Sequence, residues 1–227
     1  MKALVIGDIH GAYRALMQCF ERSGFNKEND RLILLGDICD GYPEVKQCID
    51  ELLKVKYCDL IIGNHDLWAL EWAKKGEKPL IWISQGGSRT IKSYAGPMPK
   101  EHIEFLENGR LWLEVGNQLF VHAGFNPNIP LDGQATHILA WDRMLIDVAW
   151  NLHILDKDCK ISKYEEIFIG HTPTQNYNIE GPIHACNIWL LDTGAGWSGR
   201  LTIMDIKTKE FWQSDPTVDL YGGMRGR

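Results

Sequence analysis

The sequence predicts an α/β fold, and three observations lead to that prediction. Short apolar runs occupy residues 2–7, 31–35 and 60–62, a length typical of strands buried on both faces. Between them, residues 13–23 and 45–55 carry apolar side chains at helical spacing. The 227 residues, 44% of them hydrophobic, are enough to bury one sizeable core. Strands alternating with helices therefore indicate βαβ units around a parallel sheet, in one domain.

The two helices of this first third each show one apolar face. Leu16, Cys19 and Phe20 share a face of the first helix, and Ile49, Leu52 and Leu53 share a face of the second. Each strand ends in a glycine, which permits a sharp turn, followed by Asp or Asn. We therefore expect polar side chains to gather where the strands end.

The rest of the chain divides into a helical insert, a second set of strands and a tail. Residues 67–108 are predicted to form the insert, with Trp68, Trp72 and Trp82 packing inside it. Strands are predicted at residues 111–115, 119–121, 167–169, 188–191 and 201–206, with a helix at 136–150. Residues 215–227 are rich in glycine and are predicted to be a flexible tail, so that residues 1–214 would form the domain.

Composition excludes several classes of protein. The net charge of −6 gives no overall basic field, so stable nucleic-acid binding is not expected. No stretch approaches the ~20 apolar residues of a membrane span, and the start of the chain lacks the pattern of a signal peptide. The six cysteines form no CxxC pair. These features predict a cytoplasmic protein with reduced thiols and no membrane contact.

Five short motifs place a metal-competent side chain just after a predicted strand. Residues at the carboxyl ends of parallel strands converge on one edge of a sheet, where ligand sites form in α/β proteins. Mixed nitrogen and oxygen donors without thiolate suit Mn²⁺ best here, with Fe, Zn, Co or Ni as alternatives. The six candidate metal ligands are Asp8, His10, Asp37, Asn64, His122 and His171.

Six donors are too many for one ion that must also hold water and substrate, and they fit two ions that share a carboxylate. Asp8, His10 and Asp37 would hold the first ion. The second ion would be held by Asp37, Asn64, His122 and His171. Two ions ~3.5–4 Å apart stabilise both the attacking and the leaving oxygen of a phosphoryl displacement, and they activate a bridging water.

The ordered motifs GDIHG, GDICDG, GNHD, HAG and GHT resemble those of the calcineurin-like metallophosphoesterase superfamily. Within it they resemble the phosphoprotein (serine/threonine) phosphatases, especially the compact bacterial and phage-type members. The resemblance spans roughly residues 1–200. It implies a four-layer α/β/β/α sandwich with a small helical insert, a catalytic domain over residues 1–214, and hydrolysis of phosphomonoesters by a hydroxide that bridges the two ions.

The resemblance also implies the residues that handle the proton and the phosphate. His65 would be the general acid on the leaving oxygen, oriented by Asp40, which is reasonable because histidine titrates near neutral pH. The Trp141-Asp142-Arg143 segment is similar to a family segment whose arginine binds the substrate phosphate. Residues 191–195, which contain Asp192, resemble a late family segment and are assigned only a supporting role.

One departure from the phosphoprotein phosphatase pattern concerns a second phosphate-binding arginine. Gly41 stands where that arginine would be, followed by Tyr42. Arg89, in the predicted insert, is a candidate replacement. Trp197, between Gly196 and Ser198, could flank the site, and packing is the preferred interpretation. Loss of this charged contact is expected to weaken binding of a protein-linked phosphate or to shift the substrate class.

Three functions remain open at this stage. The leading one is a phosphatase acting on phosphoserine and phosphothreonine proteins. The second is a nucleotide-directed hydrolase, either a symmetrically cleaving diadenosine tetraphosphatase or a 2′,3′-cyclic or RNA-end phosphatase, in which the Trp-rich insert could stack a base. The third is a non-catalytic scaffold, which the complete ligand set disfavours.

Overall fold

The computed structural model describes all 227 residues, and its ten strands form two five-stranded sheets. The strands are β1 (Ala3–Ile6), β2 (Arg31–Leu34), β3 (Tyr57–Leu60), β4 (Trp112–Val115), β5 (Gln118–Val121), β6 (Glu166–Ile169), β7 (Ile183–Ala185), β8 (Ile188–Leu190), β9 (Thr202–Asp205) and β10 (Phe211–Gln213). The helices are α1 (Tyr13–Ser23), α2 (Val45–Leu52), α3 (Asn64–Lys75), α4 (Leu80–Trp82), α5 (Ser88–Tyr94), α6 (Lys100–Glu107), α7 (Thr136–Trp141), α8 (Met144–Leu155) and α9 (Thr217–Leu220).

Both sheets are mixed, with parallel strands at their centres. The first sheet has the order β10-β9-β1-β2-β3, and β1, β2 and β3 run parallel while β9 is antiparallel to β1. The second sheet has the order β4-β5-β6-β8-β7, with β5, β6 and β8 parallel. The prediction of an α/β fold is confirmed, and the predicted parallel pairing holds for the central strands of each sheet.

The sheets pack face to face with helices outside them, which makes four layers. Val5, Ile33 and Met204 of the first sheet contact Phe120 and Phe168 of the second in one buried cluster. The two phenylalanine rings stack with their centroids 4.9 Å apart. Successive strand residues face opposite sides, so each central strand is apolar on both faces, as its continuous apolar sequence predicts.

Two helices begin where an aspartate carboxylate accepts a backbone N–H. The third apolar run forms a strand earlier than expected, at Tyr57–Leu60, and α3 starts at Asn64. The Asp66 carboxylate accepts a hydrogen bond from the backbone N–H of Gly63 at 3.1 Å, which fixes the start of α3. The helix expected over residues 136–150 is two helices, because Asp142 leaves helical geometry and its carboxylate accepts from the N–H of Leu145 at 2.9 Å.

A disulfide corrects the expectation that all cysteines are reduced thiols. Cys159, in the loop after α8, is bonded to Cys186, in the turn between β7 and β8. Their Cα atoms lie 4.7 Å apart. The two residues are 27 positions apart in the sequence, so no short motif announces the pair. The remaining four cysteines are free thiols, three of them buried.

Residues 215–227 pack against the body of the protein. The Tyr221 ring lies 4.4 Å from the ring of Tyr42, and Tyr221 is 8% exposed. The N–H of Asp215 donates to the side chain of Gln18 at 2.8 Å. The expected flexible tail is thus a segment with defined contacts, and we propose that it belongs to the same domain as residues 1–214. None of the helices has both the length and the apolar character that crossing a bilayer requires.

Candidate metal centre

The six predicted ligands all lie where the two sheets bring their strand ends together. Asp8 and His10 follow β1, and Asp37 follows β2, both in the first sheet. His122 follows β5 and His171 follows β6, both in the second sheet, while Asn64 opens α3. Each of the six is at most 5% exposed. The face-to-face packing of the sheets therefore creates one buried cluster of nitrogen and oxygen donors.

Asp37 lies between the two halves of this cluster. Its Oδ2 is 3.6 Å from Nε2 of His10 and 3.4 Å from Nε2 of His122. On the first side, His10 Nε2 is 4.0 Å from Oδ2 of Asp8. On the second side, His122 Nε2 is 3.3 Å from Oδ1 of Asn64. A carboxylate in this position can serve two ions at once.

The donor atoms fall into two overlapping groups. One comprises His10, Asp37 and His65, and the other comprises Asp37, His122 and His171. The first group contains His65 in place of Asp8, whose two carboxylate oxygens accept the backbone N–H of His171 at 3.1 and 3.0 Å. We prefer Asp8 as the ligand, because a carboxylate neutralises cation charge and the ring of His65 is committed to a different partner.

The backbone around the cluster is held in an unusual conformation. Four non-glycine residues of the site have positive φ: His10 (49°), Asp37 (51°), Asp40 (71°) and His171 (66°). Such left-handed residues cost about 1–3 kcal/mol each and persist where surrounding contacts determine them. Here the turns aim successive side chains from short loops into the same space.

Two buried atoms in the cluster lack any hydrogen-bond partner. They are Nε2 of His10 and Oδ2 of Asp37, which face each other across 3.6 Å. Oδ2 of Asp192 is likewise buried and unpartnered. Buried polar atoms are rarely left unsatisfied, since removing them from water without a partner is costly. These residues therefore fit a cation, which would satisfy all three atoms.

The histidine tautomers also suit metal binding. Nδ1 of His10 donates to the carbonyl oxygen of Cys39 at 2.9 Å, and Nδ1 of His122 donates to that of Leu35 at 2.6 Å. A carbonyl oxygen can only accept, so Nδ1 carries the proton and Nε2 offers its lone pair to the cluster. This carbonyl partner is the usual means of orienting a metal-ligating histidine.

Charge in the cluster is dominated by closely spaced carboxylates. Burial, followed by the charge of Asp192, raises the pKa of Asp8 well above its ordinary value. Burial alone would raise the pKa of Asp37, but the charges of His122, His65 and His10 together with a hydrogen bond from His122 hold that pKa well below the usual range. Burial would lower the pKa of His122, yet the charges of Asp37 and Asp8 and hydrogen bonds to Asp37 and Leu35 raise it to about 10. Without a cation the carboxylates thus favour a proton on Nε2 of His122, and a bound cation would take the place of that proton.

Asp192 has a larger place in the site than its sequence motif suggested. It is 1% exposed, and burial raises its pKa. Its Oδ1 accepts the backbone N–H of Gly194 at 3.0 Å, and its Oδ2 is buried without a hydrogen-bond partner. The charge of Asp192 raises the pKa of Asp8, and the charge of Asp37 raises the pKa of Asp192, so Asp192 is a third carboxylate beside Asp8 and Asp37, whereas its motif indicated only a supporting role.

The His65–Asp40 pair predicted from the motifs is present at the edge of the cluster. Nδ1 of His65 donates to Oδ2 of Asp40 at 2.5 Å. Asp40 is fully buried, and it also accepts from Nε1 of Trp82 at 2.7 Å and from Oγ1 of Thr90 at 2.6 Å. Burial raises the pKa of Asp40, and the hydrogen bond from His65 opposes that rise. The pair leaves Nε2 of His65 directed into the site.

The two predicted phosphate-binding arginines lie in different surroundings. Arg143 precedes α8, is exposed, and lines a cavity of about 230 Å³ with Trp197, Gln175 and other polar residues. Arg89 instead directs its guanidinium to backbone carbonyl oxygens, including that of Gly41. Phosphate binding by either residue stays a prediction. Trp197 is 46% exposed beside the cavity, so its interpretation as a packing residue is corrected.

Sequence reasoning missed one charged residue of the site entirely. Nη1 of Arg227 contacts Nε2 of His65, although the two residues are 162 positions apart. The glycine-rich composition of residues 215–227 indicated only flexibility. Trp82 and Thr90 were likewise not predicted to hold Asp40, because no local pattern links a helical insert to a turn 42 and 50 residues earlier.

Comparisons with known proteins agree with this geometry. The sequence model of the family described as calcineurin-like phosphoesterase matches residues 1–197. "Serine/threonine-protein phosphatase 1" of Salmonella typhimurium is 27% identical, over 89% of this chain and 91% of its own length. The symmetrical bis(5'-nucleosyl)-tetraphosphatase of Pasteurella multocida is 23% identical, over 93% and 96%. A crystal structure provisionally named as a diadenosine tetraphosphatase superimposes with a TM-score of 0.69 at 17% identity, covering 100% of this chain and 94% of that one.

Proposed function

The chain belongs to the calcineurin-like phosphoesterase family, and we propose that it is a metal-dependent phosphatase that hydrolyses phosphomonoesters, first among them phosphoserine and phosphothreonine in proteins. One observation carries the proposal. Six buried donor side chains, with Asp37 at their centre, lie in one cluster, and the His65–Asp40 pair lies directly beside them. Metal ligands alone would fit a storage or structural site, but a paired histidine at their edge fits catalysis.

The proposed ligands divide as the distances around Asp37 suggest. Asp8, His10 and Asp37 would hold one ion, and the other would be held by Asp37, Asn64, His122 and His171. When bound, two divalent cations, Mn²⁺ in our proposal, would supply Lewis acidity and an activated water near neutral pH. The protein contributes a buried cluster whose unpartnered acceptors require cations.

His65 would supply the proton that the leaving alkoxide needs. Its Nδ1–H is fixed by Asp40, so that Nε2 is the atom that can carry a proton toward substrate. Trp82 and Thr90 hold both oxygens of Asp40, which prevents the carboxylate from rotating away. The proton donor is therefore positioned before substrate arrives.

Arg143 is the proposed residue for the non-bridging phosphate oxygens. Its planar guanidinium presents several donors in a fork that matches phosphate geometry. It lies on the wall of an open, polar cavity, with no carboxylate within ion-pair distance. An arginine that forms no internal salt bridge is free to bind an incoming anion.

A nucleotide substrate is the second candidate, and one observation favours it. Trp197 exposes 46% of its surface on the wall of the Arg143 cavity, where an aromatic face could stack a base. Trp82 and Trp72 of the insert give no such support, since Trp82 is fully buried and Trp72 is 9% exposed. Trp68 is half-buried, and its ring centroid lies 5.1 Å from that of His65. The relatives include both phosphatase and tetraphosphatase names, each matched over most of the chain.

The first experiment is hydrolysis of para-nitrophenyl phosphate by chelator-stripped protein, with and without added Mn²⁺. We expect no turnover by the stripped protein and restored turnover with metal. The Asp37→Asn variant is the matched control, since it keeps the shape of the side chain and removes the charge shared by both halves of the cluster. Equal turnover with and without Mn²⁺ would contradict the proposal. So would the absence of turnover with every divalent metal tested.

A substrate panel then separates the candidates. A phosphoserine peptide, a dinucleoside tetraphosphate and a 2′,3′-cyclic nucleotide are compared by kcat/KM with the same Mn²⁺-loaded protein. The proposal expects the phosphopeptide to be hydrolysed with the highest kcat/KM. The Trp197→Ala variant adds a check, because a nucleotide whose base stacks on this ring should lose more affinity than a phosphopeptide does.

A further inference from the structure

The segment 222–227 is held against the site by a dedicated set of contacts. The N–H of Gly226 donates to the carbonyl oxygen of Trp197 at 2.9 Å, and the N–H of Arg227 donates to that of Gly196 at 2.9 Å. The carbonyl oxygen of Met224 lies 3.2 Å from the hydroxyl of Tyr42, which is also 2.9 Å from the carbonyl oxygen of Trp197. The backbone of the segment is thus contacted at residues 224, 226 and 227, so its course is fixed and not only one side chain.

Arg89 is the main side-chain anchor of this segment. Its Nη1 donates to the carbonyl oxygen of Arg225 at 2.7 Å and also contacts those of Gly226 and Gly41. The guanidinium therefore ties residues 225 and 226 to the turn at Gly41. These carbonyl contacts explain why Arg89 lies beside Gly41, and no phosphate-binding role is needed to explain it.

The close fit at Gly226 shows that the docked position is specified by sequence. A Cβ at this residue would lie 2.0 Å from the carbonyl oxygen of Gly196 and 2.9 Å from Cε2 of Tyr42. Only glycine allows the two backbones to approach this closely. Residue 226 is buried, and Arg227 follows it directly into the site.

Arg227 brings a positive charge to the site that no carboxylate pairs. Its guanidinium lies over the Trp197 ring at 4.9 Å and contacts Nε2 of His65. Its Nε is buried and has no hydrogen-bond partner. No ion pair of the structure includes Arg227, although sixteen others are formed. A partly buried guanidinium with an unpartnered donor is incomplete without an anion.

The neighbouring turn cannot supply this charge itself. Gly41 has φ +72°, and a Cβ there would lie 2.8 Å from both Cβ and the carbonyl oxygen of His10. Any side chain at position 41, arginine included, would strain this backbone. Arg227 instead brings a positive charge close to this turn, because Arg89 ties residues 225 and 226 to Gly41.

We propose that Arg227 is a phosphate-binding residue of this enzyme, and that with Arg143 it forms a two-arginine clamp on the non-bridging oxygens of the substrate phosphate. This rests on the proposed phosphatase function. Trp197 separates the two arginines, since Arg143 shares its cavity and Arg227 stacks on its ring. The phosphate would take the place at which Arg227 now contacts His65, which frees Nε2 of His65 for the leaving oxygen.

Binding of inorganic phosphate to the Mn²⁺-loaded protein, measured by calorimetry, tests the clamp without turnover. We expect Arg227→Gln to weaken phosphate binding by ~10- to 100-fold, the loss typical of a charge-assisted hydrogen bond. Arg227→Lys should lose less, because it keeps the charge. Arg225→Gln is the matched control, since that side chain is exposed and forms no hydrogen bond or ion pair, and it should bind phosphate as the unmodified protein does. Melting curves establish that each variant is folded.

Kinetics with para-nitrophenyl phosphate complete the test. We expect kcat/KM of Arg227→Gln to fall in the same ratio as phosphate affinity. Unchanged phosphate affinity would overturn the proposal. A rise in affinity or kcat/KM would overturn it too, because it would make Arg227 an inhibitory plug. If the unmodified protein hydrolyses no phosphate ester, the proposed function fails, and the calorimetry still decides whether Arg227 binds phosphate.

The role of Arg89 is tested in the same experiments. If Arg89 acts as an anchor, Arg89→Gln should weaken phosphate binding in the otherwise unmodified protein. In a protein that already carries Arg227→Gln, the same substitution should have no further effect on phosphate binding. Additive losses would overturn the anchor role and place Arg89 on the phosphate itself.

Discussion

The indole N–H of Trp82 donates to Oδ2 of Asp40 at 2.7 Å, on the same carboxylate oxygen that accepts Nδ1–H of His65 at 2.5 Å. Trp82 is fully buried in the helical insert. The helical insert therefore contributes a hydrogen bond to the site in addition to its packed tryptophans. It holds the carboxylate that orients the proposed proton donor.

This relationship predicts that Trp82→Phe lowers kcat for para-nitrophenyl phosphate by ~10- to 100-fold with little change in KM, because misplacement by about 1 Å costs that much. Trp82 touches the carboxylate and not the phosphate, so binding should be spared. Trp72→Phe is the control, since Trp72 packs beside Trp82 but donates no hydrogen bond to the pair. Equal effects of the two substitutions would reduce Trp82 to a packing role.

A second prediction concerns the proposed metal ligands on opposite sides of Asp37. Asp8→Asn and His122→Ala should each lower kcat by more than ~100-fold, since even loss of an outer partner of a metal ligand costs 10- to 100-fold. Metal content, measured by mass spectrometry after gel filtration, should fall in both variants. Asp132→Asn, at an exposed site, should leave both readings unchanged. Full activity in either purified ligand variant is incompatible with the assignment.

A third prediction follows from the crowding of Asp8, Asp37 and Asp192. In the metal-free protein, Asp192→Asn should raise the melting temperature, because it removes a buried like charge beside Asp8 while Oδ1 can still accept from Gly194. A ligand at 100 times its Kd raises the free energy of unfolding of a single-site protein by ~2.7 kcal/mol. The stabilisation by Mn²⁺ should be smaller in Asp192→Asn than in the unmodified protein. A lower melting temperature of the metal-free variant would show that Asp192 is not repelled by its neighbours.

A fourth prediction concerns Arg143, the proposed phosphate-binding residue that precedes α8. Arg143→Gln should lower kcat/KM by ~10- to 100-fold through the loss of charge-assisted hydrogen bonds to phosphate. Most of the change should appear in KM for a small substrate. Arg110→Gln, at a surface position 3.9 Å from Asp59, controls for loss of one positive charge. The same loss in both variants would indicate a general charge effect.

A fifth prediction concerns the stability of the fold at low pH. Burial alone would raise the pKa of Glu51, but hydrogen bonds from Lys27 and Lys54 hold it below its ordinary value. A carboxylate with a depressed folded-state pKa stabilises the protein above the unfolded pKa of ~4.3, and the contribution disappears as pH falls through the folded value. Urea unfolding should show Glu51→Gln less stable at pH 7, with a smaller difference at pH 4. An undiminished difference at pH 4 would mean that the charge of Glu51 is not involved.

Local sequence was sufficient to predict the fold class and to bring most of the site into view. Asp8, Asp37 and His122 each follow a short apolar run. The carboxyl ends of parallel strands lie at one edge of their sheet, so the side chains that follow these runs are expected near one another. The predicted limits of strands and helices were within a few residues for most elements. The exceptions were β3, the break between α7 and α8, and two short edge strands without a clear apolar pattern.

Contacts between distant parts of the chain were beyond prediction from the sequence. The Cys159–Cys186 disulfide, the hydrogen bond from Trp82 to Asp40 and the third carboxylate at Asp192 depend on how separate elements pack, which no local periodicity encodes.

The sequence by itself therefore determined the candidate metal ligands, because those residues stand in short motifs at strand ends. Only the tertiary structure decided what surrounds them. Arg227 is the clearest case, since its neighbourhood of glycines indicates flexibility while its backbone is bonded to Gly196 and its guanidinium reaches His65. A segment with few apolar residues is positioned by hydrogen bonds to its surroundings together with the packing of Tyr221 on Tyr42, and those partners exist only once the sheets and the insert have packed.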